Sequence, residues 1–316
     1  MTERQPDTQQ PVAVMYVGGM PRSGTTLLDL MLGQLPGHVA VGELFHLWSE
    51  GLQSNLLCEC GSPFRTCPFW SEVGQRAFGG WDQLDAARVL RLVQAVDRTS
   101  AIPRLLAPWS QPAFAAQLEE YTALLVGVYT AVRDVSGARV VVDSSKRPSL
   151  AYVLRRSKAI DLRVVHLVRD PRGVAHSWSK KVALPPGAGV RDHLKVRSPR
   201  LIGRRWVTVN LLIAALARRV PSVLVRYEDT VADPTSTMRQ AARLFCTPLS
   251  EDDVAFIGAD GLHLAPAHSV AGGRVRFRES PLPLRLDERW RAEMPEGRRR
   301  LVEVITWPLR LKYGYR

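Results

Sequence analysis

The stretch Gly18-Gly19-Met20-Pro21-Arg22-Ser23-Gly24-Thr25-Thr26 sets glycines, a guanidinium and hydroxyls directly after the apolar run Val12–Val17 and before LLDLML at helical spacing. Strand, glycine loop and helix start in that order make a phosphate site. Backbone N–H groups of the loop and of the helix N-terminus carry partial positive charge, and Gly19 and Gly24 permit close approach of an anion. The spacing Gly19-x4-Gly24 is that of a Walker A loop, but Thr25 stands where the lysine would follow Gly24. That lysine reaches the β- and γ-phosphates of a triphosphate. Without it the loop suits a shorter anion, with Arg22 supplying a permanent cation.

A second strand end carries the same kind of chemistry. Leu162–Val168 runs into Arg169-Asp170-Pro171 and on to Ser177, so a guanidinium fork and a hydroxyl eight residues apart could share one phosphate across a strand-to-helix turn. The competing reading is an Arg169–Asp170 pair or a helix cap. Two anion sites at the carboxyl edge of one sheet imply a nucleotide with phosphates at both ends. Proton chemistry points to Glu43, which follows the short run Val39–Val41 and would share that edge with Arg22. A carboxylate between Val41 and Leu44 is expected to have a raised pKa and to accept a hydroxyl proton, unless it is only an acid favoured at the N-terminus of the next helix. His46, one helical turn on, is the rival base. Arg139–Asp143 continues through Ser144-Ser145-Lys146, which adds an ammonium at a third strand end or merely a solvated lysine.

PRSGTTLL resembles the 5′-phosphosulfate loop of sulfotransferases that use 3′-phosphoadenosine 5′-phosphosulfate (PAPS), in the arginine-containing form of the tyrosylprotein and many bacterial enzymes. The resemblance extends along most of the chain. It implies that Arg22, Ser23, Gly24, Thr25 and Thr26 hold the 5′ end of the donor, and that Arg169, Ser177 and Lys181 hold its 3′-phosphate. Glu43 stands in the same Gly-Glu setting as the catalytic glutamate of the tyrosylprotein enzymes, twenty-one residues beyond the loop arginine. Lys146 matches the lysine that stabilises charge on the transferring sulfuryl group. Tyr227 corresponds to the tyrosine of a late Tyr-Glu strand end near the nucleotide, the alternative being a core aromatic. His268–Phe277 resembles the loop that closes over the 3′-phosphate, which brings in Ser269 and Arg276, although Gly272-Gly273-Arg274 stands where bacterial relatives commonly read Gly-Asn-Pro. The activity implied is transfer of sulfuryl from PAPS to a hydroxyl of a small-molecule, glycan, lipid or phenolic acceptor, with no metal required. The alternative is a P-loop small-molecule kinase using ATP and Mg²⁺, with Asp143 as its Walker B carboxylate.

Positioning these groups requires short buried strands alternating with helices. Val12–Val17, Arg139–Asp143, Leu162–Val168 and Val223–Tyr227 are rich in Val and Leu and bounded by Gly, Pro or Asp, as in a parallel sheet covered on both faces. Helical periodicity covers Thr25–Leu35, Asp82–Thr99, Pro112–Val135, Pro148–Ser157, Pro199–Arg219 and Pro234–Phe245, several opened by proline at a tolerant first turn. The expectation is a three-layer αβα P-loop fold with a mainly parallel sheet. Residues 1–10 read as a disordered tail and 11–316 as one domain with a helical insert at about 44–135. Ala259–Arg285 reads as a long surface loop.

The chain has 316 residues, 46% hydrophobic and 23% charged, which excludes a disordered or collagen-like protein. Forty-three Lys and Arg against thirty Asp and Glu give a charge of +13, a field suited to anions. Only six of those cations are lysines, so a bias towards arginine explains part of the excess. No zinc-finger, recognition-helix or aromatic RNA motif supports nucleic-acid binding. The longest apolar run, Val207–Ala217, is too short to span a bilayer, and no signal segment precedes the first strand, so a cytoplasmic location is expected. Cys58, Cys60 and Cys67, with His46 as a possible fourth ligand, could hold zinc. A second cysteine pair is missing, so a reduced loop or a single disulfide is the preferred reading. Cys246 reads as a core thiol and His166 as a packed histidine in a buried strand. Arg191–Arg205 and Arg298–Arg300 read as solvated helical faces.

Overall fold

A computed structural model describes residues 10–183, 193, 195–277 and 281–316. The expected tail, apart from Gln10, and Arg191, Asp192 and Leu194 of the basic stretch lie outside the described residues. In chain order the main elements are β1 (Val12–Gly19), α1 (Thr25–Leu32), β2 (His38–Ala40), α2 (Pro68–Phe78), α3 (Ala86–Val96), α4 (Ile102–Leu106) and α5 (Pro112–Ser136). Then come β3 (Val140–Lys146), α6 (Pro148–Leu154), β4 (Ile160–Val168), α7 (Pro171–Ser179), α8 (Pro199–Ala217) and β5 (Ser222–Arg226). The chain finishes with α9 (Tyr227–Ala232), α10 (Pro234–Ala242), α11 (Trp290–Glu293) and α12 (Glu296–Lys312).

The five strands are parallel in the order β2-β3-β1-β4-β5, so β1 is central and every carboxyl end lies on one edge. Alternation along β1 feeds two cores. Val12, Val14 and Tyr16 pack with Tyr129 and Val132 of α5, Leu150 of α6 and Ile213 of α8. Met15 and Val17 pack with Leu28 and Met31 of α1 and Met238 of α10. This is the three-layer α/β architecture expected of near-continuous apolar strands.

The β1–β3 register is irregular where it bears on the site. Tyr16 pairs with Asp143 and Gly18 with Lys146, so three steps on β3 match two on β1. Lys146 takes a left-handed φ of +65° at the end of this bulge.

Two expectations are corrected. Among its described residues Ala259–Arg285 is a surface loop only in part: Leu262 pairs with Leu282, Val270 donates to the Val41 carbonyl at 3.0 Å, and Val270 and Ala271 are buried. Its apolar pair is drawn against the turn at Gly42, where a side chain would lie 2.6 Å from the Ala271 carbonyl oxygen. Cys246 is exposed, because it closes a surface turn in a left-handed conformation instead of entering the core. His166 packs as expected, bonded to Asn210 at 2.9 Å, with burial depressing its pKa to about 4. Among the described residues no helix is long and apolar enough to cross a membrane.

Candidate active site

The loop after β1 is shaped by close approach. A side chain at position 19 would strike the Leu167 carbonyl oxygen at 2.3 Å, so only glycine lets β1 and β4 run this near. Gly24 opens α1 with φ +91°, and a Cβ there would meet the Tyr227 ring at 2.5 Å. The Leu28 amide bonds to the Gly24 carbonyl at 3.0 Å, which leaves the first-turn amides without intrahelical acceptors. Beside them the Ser23 hydroxyl is buried with no partner. Unpaired donors at a helix N-terminus make a ready anion seat.

Arg22 also has a left-handed φ, +71°. Its guanidinium donates to the Ser177 carbonyl and, at 3.4 Å, to that of Lys195, and stacks 4.6 Å over the Trp178 ring. Arg169 answers from the end of β4. It donates to the Arg22 carbonyl at 3.1 Å and to the Asp287 carbonyl at 2.8 Å, and lies 4.4 Å over the Tyr227 ring. The alternative Arg169–Asp170 pair does not form: Asp170 caps α7 at the Arg172 amide and pairs with the Arg172 guanidinium at 2.7 Å. Arg22, Arg169, Ser177 and Tyr227 therefore gather around the loop, while Lys181 is exposed just beyond α7. Tyr227 opens α9 instead of ending β5, and its ring is buried.

On the other side of β1, Glu43 and Lys146 meet with Nζ–Oε1 at 2.5 Å, both largely buried. His46 Nε2 is 3.8 Å from the second Glu43 oxygen, and its Nδ1 is 3.2 Å from Glu50. The expectation of a raised Glu43 pKa is overturned. Burial pushes it upward, but the Lys146 ammonium and then His46 outweigh burial and hold the carboxyl below the ordinary glutamate value. Lys146 is not a solvated lysine; it is buried. Nor does Glu43 cap the helical turns from Leu44 onward with its side chain: no such cap bond forms, and the Phe45 amide goes to Ser145 Oγ at 2.9 Å. Asp143, three residues before Lys146, accepts from Tyr129 OH and from the Ser145 amide and hydroxyl at 2.7 and 2.5 Å. Burial raises it to about 6 despite these bonds, so Asp143 is enclosed by protein donors, a poor arrangement for a Mg²⁺ ligand of a kinase.

The Ser269–Arg276 segment lies over Glu43. Gly273 donates to Thr26 Oγ1 at 3.1 Å, and a side chain on Gly272 would come 3.8 Å from Glu43 Oε1. Ser269 is buried. Arg276 bonds to the Ser269 carbonyl at 3.0 Å and the Leu57 carbonyl at 3.2 Å, which ties it to the cysteine-bearing loop.

The description "Sulfotransferase family" belongs to a family model that matches residues 15–251, three quarters of the chain. The chain belongs to the sulfotransferase family. It is a sulfotransferase, and the region matched carries Arg22, Glu43, Lys146, Arg169 and Ser177. Among solved structures, the sulfotransferase domain of the Synechococcus PCC 7002 olefin synthase superposes with a TM-score of 0.52 at 21% identity, over 97% of this chain and 98% of that one, which shows a shared fold. The sulfotransferase domain from the curacin biosynthetic pathway gives 0.48 at 17% identity, covering 98% and 99%. A retinol dehydratase in complex with retinol and PAP gives 0.40 at 14% identity, covering 97% and 83%. No curated protein sequence matches the chain.

Three residues around this candidate site are not marked by the sequence reading. Trp178 carries the Arg22 guanidinium, and its signal was its place directly after Ser177. Asp287, 3.4 Å from Arg169, gave none, being distant in sequence. Asp29, buried in α1 with burial pushing its carboxyl well above the ordinary value, was visible as an acid within LLDLML. The histidine beside the cysteines is His268, not His46 as expected.

Proposed function

We propose that this sulfotransferase moves the sulfuryl group of PAPS to a hydroxyl group, with Glu43 as the base. The observation that carries this reading is the 3.1 Å bond from Arg169 to the Arg22 carbonyl, which joins two cationic strand ends around one loop of unpaired donors. The first-turn amides and the orphaned Ser23 hydroxyl fit a 5′-phosphosulfate. Arg169, Ser177 and Lys181 would take the 3′-phosphate, with Tyr227 beside the nucleotide. Arg22 and Arg169 now donate mainly to neutral carbonyls, bonds that an incoming phosphate replaces with charge-assisted ones.

The acceptor oxygen attacks sulfur in line. The bond from sulfur to the 5′-phosphate oxygen breaks, its electron pair stays on that oxygen, and Glu43 takes the acceptor proton. Held below its ordinary pKa, Glu43 is ionised at neutral pH, and Lys146 is placed to turn from it towards charge developing on the transferring group. Positioning and charge stabilisation carry most of the rate. The helices between β2 and β3 form the acceptor side of the cleft in this reading, for a small-molecule, glycan, lipid or phenolic hydroxyl. A cytoplasmic location goes with it, since unpaired thiols suit a reducing compartment.

Calorimetric titration with 3′-phosphoadenosine 5′-phosphate (PAP), ATP and an oligonucleotide tests the reading, followed by transfer from labelled donor to a panel of hydroxyl compounds. Binding of PAP well above ATP is expected. Preference for ATP, or no PAP binding, would replace it.

A further inference from the structure

Away from the cleft, the densest group of metal-binding side chains joins two distant parts of the chain. Cys58 and Cys60 lie in the loop before α2, Cys67 stands at its N-terminus, and His268 arrives from some two hundred residues later. Their ligand atoms all fall within 4.8 Å of one another. We propose that Cys58, Cys60, Cys67 and His268 bind one zinc ion in a tetrahedral site that anchors the segment over Glu43.

The distances are those of a ligand shell. Zinc bonds of about 2.3 Å to sulfur and 2.0–2.1 Å to nitrogen, at tetrahedral angles, set S···S edges near ~3.8 Å and S···N edges near ~3.6 Å. Here Cys60 and Cys67 sulfurs are 3.6 Å apart, and His268 Nδ1 is 3.4 Å from Cys67 and 3.8 Å from Cys58. Cys58 and His268 are held from outside the cluster. The Cys58 amide bonds to Ser62 O at 2.9 Å and the Gly61 amide to Cys58 O at 3.0 Å, with Gly61 at φ +85° turning the chain between the sulfurs. The Phe69 ring stacks on the imidazole at 4.8 Å and 7°, and Trp70 Nε1 holds the His268 carbonyl at 2.7 Å. Such outer contacts fix a metal-binding imidazole.

Charge supports the assignment. Three thiolates and a neutral imidazole around a divalent ion leave one net negative charge, and binding releases the thiol protons. Arg276 supplies the compensating cation: it is buried and bonded to Leu57 O and Ser269 O, the neighbours of Cys58 and His268. Soft thiolates with one imidazole select zinc over hard cations. The site ties Ser269 to Glu59, whose amide donates to the Ser269 carbonyl at 3.1 Å, and so steadies the Gly272–Gly273 strip against Glu43 and Thr26.

Elemental analysis of the full chain, purified under reducing conditions without chelator, is expected to find about one zinc per chain. A mercurial reagent that blocks thiols should release it, and cobalt(II) replacing it should give tetrahedral d–d bands with thiolate charge transfer. Cys60→Ala and His268→Ala should each lower zinc affinity at least about tenfold, whereas His46→Ala should keep a full equivalent. The site is ruled out by wild-type protein that takes up no zinc after reduction and dialysis against zinc chloride. It is equally ruled out by a Cys60–Cys67 disulfide in freshly lysed cells, or by full retention in both Cys60→Ala and His268→Ala. Because the first measurement uses the unaltered protein, misfolding of a variant does not blur the result.

Discussion

At the β2–β3 end of the strand edge, acids already have partners: Glu43 meets Lys146 at 2.5 Å, and Asp143 is closed in by Tyr129 and Ser145. Across β1, Arg22 and Arg169 rest chiefly on carbonyl oxygens and aromatic faces, with the Asp287 carboxylate 3.4 Å from Arg169 as the acid in reach. One half of the cleft is close to neutral within itself, while the other keeps cationic capacity for a ligand. A guanidinium on a carbonyl loses little when an anion replaces that carbonyl, whereas a buried ion pair opens once its carboxylate is neutralised, as a proton taken by Glu43 would do. The first half suits proton handling and the second suits phosphate capture.

The sharpest way to break this contrast is Glu43→Ala. Turnover should fall by about 10²–10⁴-fold, the usual share of a general base, with PAP affinity unchanged or slightly tighter because a negative charge has gone. Near-normal turnover in labelled-donor assays would remove Glu43 from the reaction. The acid limb of kcat/KM should also lie below the ordinary glutamate value, since Lys146 holds Glu43 down.

Asp143 should respond to pH in the opposite direction. Its pKa of about 6 in the folded state exceeds the ordinary 3.8, so the folded chain holds this proton more tightly than the unfolded one. The stability it contributes is full below about 3.8 and is lost as pH rises through 6. The stability of the wild type relative to Asp143→Asn should therefore drop by up to ~3 kcal/mol between those values, read by denaturant titration. A flat difference would mean that Tyr129 and Ser145 keep the carboxylate ionised.

Arg169→Ala should weaken PAP by about 10–100-fold, the loss of one or two charge-assisted hydrogen bonds, while kcat at saturating donor changes much less. An equal loss in kcat would extend the influence of Arg169 to the reacting centre. Smallest is Tyr227→Phe. Its hydroxyl reaches Arg285 O only at 3.5 Å, the limit of a hydrogen bond, so PAP affinity should hold within about twofold if the ring face is what matters.

Local patterns made the sheet and the loop legible. Val and Leu runs bounded by glycine and proline marked the strands, and Gly19, Arg22 and Gly24 marked the tight loop between β1 and α1 before any fold was known. What stayed hidden depends on long-range contact. His268 reaches Cys67 across 201 residues, and Asp287 reaches Arg169 across 118, so no local spacing announces either. The direction of the Glu43 shift failed for the same reason: Val41 and Leu44 are its neighbours in sequence, but Lys146, 103 residues away, governs its charge. Arg276, a phosphate ligand by resemblance, also donates to the Leu57 carbonyl, 219 residues away, a contact that no local spacing announces.

Side chains on a strand change faces at every step, so the extra residue between Asp143 and Lys146 puts the lysine out of phase with its own strand. Were the ladder regular over the same sequence, Ser145 would stand opposite Gly18, and Lys146 would fall one step on, opposite Gly19, with its side chain on the other face of the sheet. The chemistry of this cleft is thus written partly in a counting error of the backbone, which no substitution of one side chain for another could reproduce.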